Sequence, residues 1–155
     1  MIPALMLAAA LSVPLTHPDP AETPGLARTD LTVQAICSTR WGHDERHVTE
    51  EMKLEVFKAY GFSGPNDPTC ALDAHGKRWE VDHLISREIS GADDVRNLWP
   101  ECYAGPWNAH DKDRVENRVH VELCAGRLTL EEAQHALTDD WQATYVRYFG
   151  QPPAP

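Results

Sequence analysis

The sequence predicts a small α+β domain in which one short pair of strands is set among helices. Three observations lead there. Several segments carry apolar residues at four-residue spacing between a capping residue and a glycine, two short central runs have strand character, and the order is helix, two strands, helix, helix, helix. At 155 residues the chain supports one domain with a real core and is too short for two comfortable ones.

The chain begins "MIPALMLAAALSVPLTHPDPAETPG", an apolar run from Ile2 to Leu15 followed by a proline-studded stretch. The run is too short to span a bilayer. Its length and the small residues Ala8, Ala9 and Ala10 suit a secretory signal peptide, although no Lys or Arg precedes it. Residues 1–26 are therefore read as signal peptide and linker, residues 27–150 as the domain, and residues 151–155 as a flexible tail. The expected location is outside the cytoplasm, in the periplasm or beyond, with no stable membrane insertion and no obligate protein partner.

"VTEEMKLEVFKAYG" is the first helix. Thr49 caps it, Glu50 and Glu51 complement its N-terminal dipole, Gly61 ends it, and Met52, Val56 and Tyr60 share a face. "GFSGPNDPTC" is loop by composition. "KRWEVDHLI" is strand-like, with Trp79, Val81 and Ile85 at even steps. "SREISGADD" links it to "VRNLWP", a second short strand ended by Pro100. "NAHDKDRVENRVHVELCAGR" is helical from an Asn108 cap through Val115, Val119 and Leu123 to Gly126. Thr129 stands three residues before Glu132, a capping-box spacing that opens the next helix. The last helix carries Trp141, Tyr145 and Tyr148 on one side. These aromatics, with Trp79 and Trp99, are read as core.

Four cysteines, Cys37, Cys70, Cys102 and Cys124, are an even count in a chain expected to be exported, which favours two disulfides. No two form a C-x-x-C pair, so zinc through cysteine is weakly supported. Of the three pairings available, the residues alone choose none. Formal net charge is −10. That excludes the usual basic footprint of a nucleic-acid binder.

The chemistry concentrates in "WEVDHLISREISGADDVRNLWP", where Asp82, His83 and Asn97 interrupt core-like surroundings. Neighbours on a strand point to opposite faces, so Asp82 and His83 serve one site only where the strand bends or ends. A carboxylate is a hard ligand for a divalent cation, and imidazole is the best general base for activating water. Asn97, fourteen residues after His83, is placed to brace the loop, and His110 falls near the start of the following helix. Glu80 and Glu88 are given surface or salt-bridge roles, and the acidic runs "ADD", "TEE" and "TDD" are read as loop tips and helix-start charges. His43 and His47 have the i, i+4 spacing of a helical metal pair but no third ligand beside them.

"EVDHLI", "ISGADDVRNLWP" and "NAHDKDRVEN" together resemble the HNH endonucleases, the ββα-metal nuclease family, in its small bacterial branch. The motif region covers Trp79 to Asn117, and "ICSTRW", "RHVTEEMK", "LCAGRLTLEEAQ" and "DDW" extend the likeness over most of the domain. Ser90 stands where the family shows a second glycine. The resemblance implies a ββα-metal core surrounded by additional helices. It implies that His83 is the general base, Asp82 a metal ligand and Asn97 the brace. His110 is the expected further ligand, with Asn108 as the alternative. One divalent ion is implied, Mg²⁺ first, with Mn²⁺ or Zn²⁺ as alternatives, and the substrate is nucleic acid, DNA first. Arg87, Lys112 and Arg114 are the expected phosphate partners. On the segments that resemble the family, Cys37 is paired with Cys124 and Cys70 with Cys102. The rival readings are a non-catalytic secreted module that keeps the fold, and an RNase. From Glu80 to Arg127 ten acidic residues outnumber six basic ones, which favours the first rival.

Overall fold

The computed structural model of the protein describes residues 15–154; residues 1–14, and with them most of the expected signal peptide, lie outside the described residues. The fold is α+β, five α-helices and one two-stranded antiparallel sheet among the described residues. The elements are α1 (Val33–Ser38), α2 (Glu50–Ala59), β1 (Trp79–His83), β2 (Leu98–Cys102), α3 (Ala109–Cys124), α4 (Leu130–Thr138) and α5 (Trp141–Phe149). Two short 3-10 turns, Arg87–Ile89 and Val95–Asn97, sit in the connection between the strands. No helix among the described residues is long and apolar enough to cross a membrane.

Capping chemistry places the helices where the sequence puts them. Thr49 accepts from the Met52 N–H, Asn108 and Asp111 form a reciprocal capping box on α3, and Thr129 and Glu132 form another on α4. Gly61 and Gly126 follow α2 and α3 in the left-handed region, at φ of 74° and 72°. Helix α1 is an addition to the expected order. Only six residues long, it carries too little periodicity to be read, yet Thr32 caps it and Ile36 is fully buried.

Pro100 does not end the second strand. The pairs Trp79 with Cys102, Val81 with Pro100 and His83 with Leu98 define a register that runs two residues past it. Flanking bonds from the Leu84 N–H to the Asn97 carbonyl (2.7 Å) and from the Tyr103 N–H to the Arg78 carbonyl (2.9 Å) fix the alternation of the ladder. Pro100 falls opposite Val81 at a non-bonded position, where its nitrogen faces away from the partner strand and no N–H is missed. Residues 95–97, expected as strand, form a 3-10 turn because Asp94 caps it through the Arg96 N–H.

Two cores flank this ribbon. One gathers Ile36, Ile89, Val115, Val119, Leu123, Leu137, Trp141 and Tyr145 between α1, α3, α4 and α5. The other packs Val56 and Phe57 of α2 on Trp79, Val81 and Leu98. A disulfide fastens each: Cys37 to Cys124 joins α1 to the end of α3, and Cys70 to Cys102 joins the loop after α2 to β2.

The stretch expected as a linker before the domain is packed onto it. Thr23 is 1% exposed and donates to the Leu98 carbonyl at 2.9 Å, the Gly25 N–H donates to the Arg96 carbonyl at 3.0 Å, and the Thr16 carbonyl accepts from the Trp141 indole at 3.0 Å. Its prolines read as linker, but they also suit an extended segment laid across other elements.

The loop between the strands is folded tightly on itself. A Cβ at Gly91 would lie 1.7 Å from the Ile85 carbonyl oxygen, so the close approach requires glycine. Ser90 occupies the left-handed region at φ 73° and donates its hydroxyl to the Arg28 carbonyl at 2.9 Å. That bond helps offset the strain a non-glycine residue meets there, about 1 kcal/mol.

Candidate active site

His83 is the last residue of β1, where the strand's alternation stops constraining its side chain. The imidazole is 3% exposed and lies between two carboxylates. Its Nε2 is 2.7 Å from Asp93 Oδ1 and its Nδ1 is 3.3 Å from Asp82 Oδ1. A neutral imidazole has one N–H, so it donates to one of them. Of the two contacts, the one to Asp93 is the shorter.

Asp93 is itself held in place. Its Oδ2 accepts from the His47 N–H at 2.6 Å, and Arg87 Nε approaches Oδ1 at 3.4 Å. Burial works to raise its pKa, but these contacts outweigh it and keep the carboxyl below its ordinary range. The sequence reading missed Asp93, counting "ADD" as loop-tip charge. Its neighbour Asp94 fits that description, and Asp93 does not.

Asn97 is fully buried, and its amide uses every bonding position. Oδ1 accepts from the Ile85 N–H (2.9 Å) and the Leu26 N–H (3.3 Å), while Nδ2 donates to the Ile85 carbonyl (3.0 Å) and the Ala92 carbonyl (3.1 Å). It clasps both ends of the loop that presents Asp93 to His83.

On the other side of His83 the carboxylates crowd. Asp82, Asp113 and Glu116 each place an oxygen within 4.8 Å of the other two, and Glu80, Asp82 and Glu101 form a second such group. Burial pushes the Glu116 carboxyl up to about 8 and raises Asp113, and the Asp82 charge adds to both. Asp82 itself goes the other way. Burial opposes its ionisation, but the His83 hydrogen bond and the nearby Lys112, His83 and Arg46 charges bring it down to about 2. The group therefore keeps negative charge on Asp82 and holds a proton most readily on Glu116.

Several expected positions need correction. His110 is in the first turn of α3 with its side chain 63% exposed; its Nδ1 lies 3.8 Å from Asp113 Oδ2 and its ring near Tyr103, beside the carboxylate groups and not within them. The α3 residues that reach Asp82 are Asp113 and Glu116, one and two turns further along, on the helix face turned to the sheet. Their signal was present in "KDRVEN" as an i, i+3 acidic pair. Asn108, the alternative ligand, spends its side chain on the helix cap and the Gly105 carbonyl.

Lys112 does not face a phosphate. It is 1% exposed, its ammonium donating to the His83 carbonyl at 2.6 Å and paired with Glu101 at 3.0 Å and with Glu116. Arg114 projects toward α5, donating to the Tyr145 hydroxyl and lying over the Phe149 ring at 4.3 Å. Arg87 does border the site, paired with Asp44 and donating to the Glu45 carbonyl. An arginine the sequence did not single out, Arg46, donates to the Val81 carbonyl (3.1 Å) and Asp82 Oδ1 (3.3 Å). Nothing local announces it, since it lies 36 residues from Asp82. His43 and His47 lie in an irregular segment, so their helical spacing has no meaning here.

Asp82, Asp113, Glu116 and Arg87 border an open depression of about 360 Å³. An all-oxygen donor set of this kind fits a hard divalent ion such as Mg²⁺ or Mn²⁺ better than zinc. No known protein family, curated protein or solved structure matches this chain.

Proposed function

We propose that the chain is a metal-dependent endonuclease of the HNH type that hydrolyses phosphodiester bonds in nucleic acid, DNA first. One observation carries the reading: an imidazole oriented by Asp93 on one nitrogen opens its other nitrogen toward Asp82, which is grouped with Asp113 and Glu116. The strand, clasped loop, strand and helix order from β1 to α3 supports the ββα-metal core that the resemblance implies. Two disulfides and the apolar leader support export.

Asp93 orients the ring through Nε2, so that Nδ1, on the Asp82 side, is the nitrogen that would take a proton from the attacking water. Asp82, Asp113 and Glu116 are the side chains that would hold the divalent ion. When bound, it supplies charge stabilisation for the phosphate and the leaving oxygen. Asn97 keeps the loop, and hence Asp93, at its distance from the imidazole. Lys112 fixes the His83 backbone from behind.

Nicking of supercoiled plasmid by the purified chain with Mg²⁺ or Mn²⁺, with and without EDTA, tests the reading. Nicking should require the ion and be abolished by His83→Ala. DNA left intact under every divalent ion, by parent and variant alike, would refute it. The acidic surface favours one competing reading, a non-catalytic secreted module. RNA cut in place of DNA would leave the chemistry and change the substrate.

A further inference from the structure

Beside the depression at Asp82 lies a second one, of about 410 Å³, bordered by Arg28, Glu45, His47, Asp93 and Asp94. Trp41 and Arg87 border both. The His83 imidazole thus has one carboxylate partner, Asp82, on the first depression and the other, Asp93, on the second.

Trp41 is built to be held and still reachable. Its indole N–H donates inward to the Ile36 carbonyl at 2.9 Å, and part of the ring packs on the helical core. The ring remains only half-buried and forms the ridge between the two depressions. Its position follows from the Cys37–Cys124 bond four residues earlier, which anchors the helix leading into it.

The second depression is not a phosphate cradle. Arg28 is taken by Asp30 through two bonds of 3.0 and 2.6 Å, Arg87 by Asp44, and Glu45, Asp93 and Asp94 add negative charge. With a net charge of −10 overall, affinity for a polyanion has to come from a contact that does not depend on charge. Stacking of a base on an aromatic ring is such a contact, and it needs a base that is not already stacked in a duplex.

We infer that Trp41 is the stacking platform of a nucleotide subsite next to the candidate centre, and that the strand it takes is single-stranded. The inference rests on the nuclease reading for its substrate class, but its test is binding, not turnover.

The full chain carrying His83→Ala is titrated with a labelled oligodeoxynucleotide, single-stranded or annealed to its complement, in Mg²⁺, with fluorescence anisotropy as the readout. The single strand should bind more tightly than the duplex. Trp41→Leu, which keeps apolar packing but has no π face, should weaken single-strand binding by about tenfold or more, whereas Trp41→Phe should retain most of it. Thermal melting of both variants checks that they are folded. Equal affinity for duplex and single strand, an unaffected Trp41→Leu variant, or no binding of either would overturn the subsite. Single strand bound through Trp41 but never cut by the parent protein would sink the nuclease reading and leave the subsite standing. Cutting with parental affinity by Trp41→Leu would do the reverse.

Discussion

Two buried polar knots hold the chain at and just past the C-terminal end of β1, and they are built on opposite terms. At Asn97 a neutral amide meets four backbone groups and leaves none unpaired. At Lys112 a single ammonium meets the His83 carbonyl, Glu101 and Glu116, with the Asp82 charge nearby. The first knot is closed in both geometry and charge. The second is closed in neither: Glu101 Oε1 has an ion pair but no hydrogen bond, and one cation faces three carboxylates. Burial accordingly raises Glu101 and Glu116 and leaves the surplus proton inside. A neutral knot sets the shape of the loop. A charged knot left short of positive charge marks where a cation would be most strongly stabilised.

Removing the ammonium should have the largest effect on folding. Lys112→Met leaves buried carboxylates without their counter-charge and should cost about 3–5 kcal/mol in urea unfolding. A loss below about 1 kcal/mol would mean that protonation already neutralises the cluster. Asn97→Ala strands the Ile85 N–H and carbonyl inside the protein and should cost about 3 kcal/mol. Unlike the first loss, this one should not change with pH.

Asp93→Asn separates positioning from stability. The amide can still sit beside Nε2, but it no longer favours the proton there, so kcat should fall about a hundredfold with the melting midpoint nearly unchanged. A large fall in the midpoint would reassign Asp93 to the fold.

The last effect is a slope. Glu116 is raised from an ordinary 4.5 to about 8 in the folded chain, so the folded state keeps a proton the unfolded chain gives up. Its contribution to stability is whole below pH 4.5 and is lost as pH rises through about 8. Unfolding free energy measured across that interval should decline, and Glu116→Gln should flatten the decline. A divalent ion competes with the same proton, so its binding, followed by calorimetry, should tighten with pH in the parent and not in Glu116→Gln.

The elements were legible where local chemistry decides them. Thr49, Asn108 and Thr129 cap helices because a side-chain oxygen meets nearby N–H groups, and that is written in a few consecutive residues. Asp82, His83 and Asn97 were legible as polar residues in apolar runs. Asp93 and Arg46 were not, since each matters only through a partner that the fold brings to it. Lys112 and Arg114 were misjudged for a related reason. Adjacency to a site in sequence says nothing of which helix face a side chain occupies, and α3 turns Lys112 inward and Arg114 toward α5. Pro100 misled because its cost depends on which side of the ladder its nitrogen faces.

The bond between Cys37 and Cys124 spans 87 residues of chain. It can close only once the chain as far as Cys124 has been made. The segment that carries Trp41, Asp44 and Arg46 to the cleft is therefore locked down only after the helix that bears Asp113 and Glu116 has been made. Assembly of the cleft is thereby timed to follow completion of its scaffold.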